Sequence, residues 1–148
     1  DKRLYRERGS AYQALEEYKK AQADYEKALE LEPADAELYT TLGDVQERLG
    51  EVQEALQSYQ KAIQIDPNYA RAYNNRGVVY LSQMETEKAL ADHRKAVKLA
   101  GDPGYAKAYD FRADAYEGLE QTEKAERDWE TYRSLTKKTE EEEDTPQA

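Results

Sequence analysis

Cysteine is absent, which excludes disulfides, thiolate metal sites and a cysteine nucleophile. Histidine, tryptophan, phenylalanine and methionine each occur once. A single histidine, His93, has no second histidine with which to build a metal site or a proton relay. No apolar run approaches the ~18 residues that cross a bilayer, and no leader pattern opens the chain. Basic residues are outnumbered, 22 Lys and Arg against 32 Asp and Glu, for a net charge of −10. Duplex nucleic acid needs a basic face to neutralise its phosphates, so that class of partner is excluded. No glycine-rich phosphate loop, metal-ligand spacing or nucleophile motif is present, and the sequence reads as a non-enzyme with no cofactor. The absence of cysteine leaves the compartment open, with a slight tilt toward the cytoplasm. Opening at Asp1 without methionine suggests a processed or excised segment.

What is present is a polar, charge-coated helical composition: 36% charged residues and a mean hydropathy of −1.12. Alanine, glutamate, lysine and leucine favour helices, and β-branched residues are too few for strands. The 148 residues match the size of one domain and bury roughly two-thirds of their unfolded surface. They also repeat. Residues 36–69 carry Tyr39, Gly43, Ala55, Tyr59, Ala62 and Pro67, and a shift back by 34 places finds Tyr5, Gly9, Ala21, Tyr25, Ala28 and Pro33. Shifting forward gives Tyr73, Gly77, Ala89, His93 and Ala96, then, after two extra residues, Tyr109, Ala113, Ala125 and Trp129.

Each recurring residue has a physical task. Glycine or alanine on a first helix lets a second helix approach closely, and a ring four residues beyond Ala21, Ala55, Ala89 or Ala125 fills the space beside it. Proline then stops the second helix. The first helix of the first unit is expected to bury Leu4, Tyr5, Ala11, Tyr12 and Leu15. Its second helix, about 18–31, presents Ala21, Tyr25, Ala28, Leu29 and Leu31. Asp35 suits an N-cap. In the second unit Leu38, Tyr39, Leu42, Val45 and Leu49 lead to Gly50, which can adopt the left-handed turn conformation. Ala55, Leu56, Tyr59, Ala62, Ile63 and Ile65 pack behind it. In the third, Tyr69, Tyr73, Val79, Tyr80 and Leu81 are partly buried, with Ala89, Leu90, His93, Ala96, Val97 and Leu99 opposite. The two-residue insertion is placed at Ala100-Gly101, in a loop. His93 occupies a ring position and reads as a packed core histidine. Most of the thirteen tyrosines likewise read as core filling.

This pattern resembles the tetratricopeptide repeat family over about residues 2–139. The resemblance implies an all-α, right-handed α-solenoid of four stacked helical hairpins, 2–35, 36–69, 70–105 and 106–139. The last unit departs most, with Ala113 for glycine, Trp129 as the ring, Tyr132 at an alanine site and no closing proline. Residues 140–148 read as an acidic disordered tail rather than a packed capping helix.

The resemblance further implies a concave groove lined by first helices, binding a protein or peptide partner, without membrane insertion. Its positions fall on Arg3, Arg6, Ser10 and Gln13, on Glu37, Thr40, Thr41, Asp44 and Arg48, on Arg71, Asn74, Asn75, Val78 and Ser82, and on Lys107, Asp110, Phe111 and Asp114. The peptide-binding set drawn from these is Arg3, Arg6, Ser10, Thr41, Arg71, Asn74, Asn75, Lys107 and Phe111. Some family members clamp the C-terminal carboxylate of chaperones. At those places the first three units here hold Arg6, Ser10, Thr41, Arg71 and Asn75, and units two to four hold Thr40, Asp44, Asn75, Lys107 and Phe111. Three readings follow: a peptide-binding adaptor, a degenerate carboxylate clamp, or a structural self-assembly unit packing through the uncapped last helix, with Trp129 and Tyr132; the chain is expected to be a monomer or weak homo-oligomer.

Overall fold

The computed structural model describes residues 1–100 and 106–143. Among these residues there are eight helices and no strand: α1 (Lys2–Ala14), α2 (Tyr18–Leu31), α3 (Ala36–Arg48), α4 (Val52–Ile65), α5 (Ala70–Ser82), α6 (Thr86–Ala100), α7 (Ala106–Gly118) and α8 (Thr122–Glu143). They form four hairpins. Each odd helix packs most extensively on the even helix that follows, each even helix packs on the next odd one, and α3–α5 and α5–α7 also touch. First helices therefore lie side by side along one face, as in a solenoid.

Local chemistry sets the boundaries. Asp1 accepts from the Arg3 N–H at 3.0 Å and Asp35 from the Leu38 N–H at 2.9 Å, capping α1 and α3. Leu38 N–H, together with Lys2 and Arg6, holds the Asp35 carboxyl below its ordinary value even though burial pushes it upward. Gly50 turns between α3 and α4 at φ 75°. The same turn in the other hairpins puts Glu16, Met84 and Glu120 at φ 59°, 61° and 59°, a region that costs an L side chain about 1–2 kcal/mol.

The hairpins close on the small-residue and ring contact expected from the repeat. A Cβ on Gly9 would lie 2.7 Å from the Tyr25 ring, on Gly43 2.6 Å from Tyr59, and on Gly77 2.7 Å from His93. Only glycine permits those approaches. Opposite them Ala21, Ala55 and Ala89 are fully buried. In the fourth hairpin Ala113 is buried and Trp129 is half-buried against the Leu90, Ala115 and Tyr116 cluster.

Several expected core residues lie outside it. Leu4 and Leu15 are 65% and 68% exposed, Ala11 is exposed, and Leu31 and Ile65 are also exposed. The equivalents of Leu4 and Ala11 in α3, Leu38 and Val45, are buried under α2. No helix precedes α1 in the structure to cover Leu4, Ala11 and Leu15. Leu31 and Ile65 are the last residues of their helices. The expected tail also differs: α8 runs through 140–143, because a helix packed at its start propagates at little cost per added residue. The remainder of that tail, 144–148, and the part of the expected loop insertion at 101–105 lie outside the described residues.

A second device ties three of the four hairpins together. Arg8 grips Asp24 with two hydrogen bonds of 2.7 Å, Arg76 grips Asp92 at 2.9 and 2.8 Å, and Arg112 grips Asp128 at 2.6 and 2.7 Å. Each guanidinium also lies over two tyrosine rings, Tyr5 and Tyr12, Tyr73 and Tyr80, or Tyr109 and Tyr116. In the second hairpin the corresponding places hold Leu42, Ser58 and Gln46. There the buried Ser58 hydroxyl donates to Gln46 Oε1 at 2.6 Å.

Candidate functional site

Side-by-side first helices enclose a cavity of about 450 Å³, lined by Gln13, Asp44, Glu47, Arg48, Arg71, Asn74, Asn75, Val78, Lys107 and Phe111. A neighbouring depression of about 420 Å³ shares Gln13 and Arg48 and adds Ser10, Ala14, Tyr18, Tyr25 and Thr41. The two form one groove from α1 to α7.

Five of the expected peptide-binding residues, Arg71, Asn74, Asn75, Lys107 and Phe111, meet in the central cavity, and Ser10 and Thr41 line the adjoining depression. Arg3 and Arg6 line neither. Arg3 pairs with Glu7 on its own helix at 2.8 Å, and Arg6 bridges to Asp35 at 3.2 Å and Glu37 at 2.6 Å. The Thr41 hydroxyl is turned back to the Glu37 carbonyl at 3.0 Å.

Asp44 is the hub. Its Oδ1 accepts from the Tyr59 hydroxyl at 2.8 Å and from Asn75 Nδ2 at 2.7 Å, and its Oδ2 accepts from Arg71 Nη2 at 2.7 Å. The Tyr59 hydroxyl also reaches Glu47 at 3.2 Å. Burial, then the charge of Asp44, pushes the Tyr59 phenol well above its ordinary value, so it remains a donor. Arg48 and Lys107 make no ion pair among the described residues and give the cavity its available positive charge.

The third hairpin departs from its neighbours at the ring position. His93 is fully buried, its Nδ1 lies 3.3 Å from Asn74 Oδ1, and its ring stacks on Phe111 with centroids 5.6 Å apart. His93 Nε2 and Asn74 Nδ2 have no protein partner among the described residues. Burial, and secondarily the charge of Arg112, lowers the imidazole to about 4, so it is neutral near pH 7.

Sequence reasoning placed Tyr59 in the core and did not include Glu47 in the groove. A phenol at the ring position, with a carboxylate one helix away, is the signal for Tyr59, and it is absent in the third hairpin, where the equivalents of Tyr59 and Asp44 are His93 and Val78. Nothing local marks Glu47. Among the described residues, no group of three or more His, Asp or Glu side chains could hold a metal, and no helix is long and apolar enough to cross a membrane.

Stacked two-helix units with an open face lined by first helices define a helical-repeat solenoid. The family models agree in detail: the description "TPR repeat" matches residues 9–50 and 48–84, and "Tetratricopeptide repeat" matches 70–103. The chain belongs to the tetratricopeptide repeat family. The fourth hairpin lies beyond the matched stretch but repeats the packing of the other three.

Solved structures give the same architecture. A crystal structure of MamA superposes with a TM-score of 0.84 at 27% identity, covering 95% of this chain and 81% of that one. Another MamA crystal structure gives 0.80 at 26% identity, covering 100% and 80%. The first TPR of Spaghetti (RPAP3), bound to the HSP90 peptide SRMEEVD, gives 0.74 at 22% identity, covering 80% and 92%. No curated protein matches the chain.

Proposed function

We propose that the chain is a non-catalytic adaptor or scaffold module that holds a peptide segment of a partner protein in its concave groove. The observation that carries this reading is the central cavity, where amide side chains of Gln13, Asn74 and Asn75 stand beside the apolar surfaces of Val78 and Phe111. Amides match the donors and acceptors of a peptide main chain, and the two apolar residues offer a contact for a side chain. A domain of the same fold has been solved with a peptide bound. The last helix offers less. Trp129 packs into a core cluster, and Glu126, Glu130 and Arg133 are exposed on the same helix.

Selection from a random peptide library against the immobilised chain provides a ligand whatever the natural partner is. Val78→Arg and Lys107→Glu should each weaken the selected peptide about tenfold or more, with helicity unchanged. Affinity that survives both substitutions would contradict the groove reading.

A further inference from the structure

We propose that Asp44 sets which peptides the groove accepts: its carboxylate fills, from within the chain, the place a ligand's free carboxylate would need. The groove then takes internal segments and excludes free C-terminal carboxylates. This rests on the reading of the groove as a peptide site.

Carboxylate recognition requires several donors converging on unoccupied space. Three donors do converge at the centre of this groove, Arg71 Nη2, Asn75 Nδ2 and the Tyr59 hydroxyl, and Asp44 accepts from all three at 2.7–2.8 Å. Both of its oxygens are used. The remaining arginine expected to meet a carboxylate, Arg6, is held by Asp35 and Glu37. A ligand carboxylate would have to displace Asp44 or sit beside it, and two carboxylates sharing one donor set repel. An internal segment brings no such charge. Its N–H groups can donate to Asp44, and its carbonyls can accept from Arg48 and Lys107, which line the same cavity and make no ion pair among the described residues.

The position in the repeat explains why Asp44 alone does this. Its equivalents in the other hairpins are Ser10, Val78 and Asp114. Ser10 and Val78 carry no charge. Asp114 is exposed and makes no ion pair among the described residues. Only Asp44 has an arginine and an asparagine from the next first helix closing on it.

The test uses the full chain and two fluorescently labelled forms of the peptide SRMEEVD, one ending in a free carboxylate and one in an amide, read by anisotropy. The unaltered chain should bind the amide form at least as tightly as the free acid, whereas Asp44→Asn should favour the free acid by about tenfold or more. The amide that Asp44→Asn introduces would keep its Oδ1 as acceptor for Tyr59 and Asn75 and place an NH2 group where Oδ2 met Arg71, releasing the guanidinium, and adding Arg71→Ala should abolish the gain. Asp44→Ser provides a second variant should the first lose helicity. A tenfold preference for the free acid in the unaltered chain overturns the proposal, as does the absence of any gain in well-folded Asp44→Asn. If the library-selected peptide still binds in the groove, that failure concerns Asp44 alone. If it does not, the groove reading fails as well.

Discussion

The second hairpin and the third solve the same packing problem with different chemistry. The third joins its helices through Arg76 and Asp92, both largely buried, with Tyr73 and Tyr80 around the guanidinium. The second places Leu42, Ser58 and Gln46 at those sites and buries all three. At the ring position the second has Tyr59, whose hydroxyl donates to the groove residue Asp44, and the third has His93, which meets the groove residues Asn74 and Phe111. One backbone pairing thus tolerates an ionic or a neutral closure. The ring position links each hairpin's core to the groove, through a hydroxyl in the second and through an imidazole in the third.

The largest expected effect contrasts equivalent leucines. Leu38→Ala removes a side chain only 1% exposed and should cost roughly 2–5 kcal/mol in denaturant unfolding, whereas Leu4→Ala, 65% exposed, should change stability by less than about 0.5 kcal/mol. Equal losses would mean that α1 is covered in solution.

Next, Asp92→Ser gives the third hairpin the second's residue but strands the Arg76 charge, and should cost about 3 kcal/mol. Adding Arg76→Leu should restore most of that loss, since a packed neutral pair is as good as a buried ionic one. A double variant no better than the single one would show the two closures are not interchangeable.

The rings differ in their response to acid. His93 is neutral when folded, with its value lowered from 6.5 to about 4, so the unfolded chain binds the extra proton. Its contribution is complete above pH 6.5 and is lost as pH falls toward 4, amounting to about 2 kcal/mol near pH 5. The difference in stability between the unaltered chain and His93→Phe should therefore shift by that amount between about pH 7 and pH 5. No shift would place the imidazole in contact with water.

The smallest effect concerns the turns. Met84→Gly and Glu120→Gly should each stabilise by up to about 1 kcal/mol, since relief of the left-handed strain is partly offset by the entropy of glycine in the unfolded chain, whereas Gly50→Ala should destabilise by a similar amount. Thermal melting reads all three.

Much of this architecture was legible in the sequence. The glycine and ring pairs fix how each hairpin closes, Asp35 marks the start of α3, and Gly50 marks its end. The turns at Glu16, Met84 and Glu120 were not legible, because tertiary packing imposes a conformation those residues do not prefer. Leu4 and Leu15 were placed inside because periodicity identifies an apolar face but not whether a neighbour covers it. The Arg and Asp pairs recur 16 residues apart between the tyrosines, a pattern visible in three units yet unread, since the two sites meet only after the hairpin folds. For the groove, repeat position identified the residues that line it. It did not reveal that Arg6, Arg71 and Asn75 are already engaged, because their carboxylate partners, Asp35, Glu37 and Asp44, lie on or at the start of a different helix and meet them only in the folded array.

The most direct test of the account is a map of backbone amide shifts in the isotope-labelled chain as a library-selected peptide is added. Shifts should concentrate on the groove-facing residues of α3, α5 and α7, around Asp44, Asn75 and Phe111. A footprint on α4 and α6, or on the exposed leucines of α1, would contradict it.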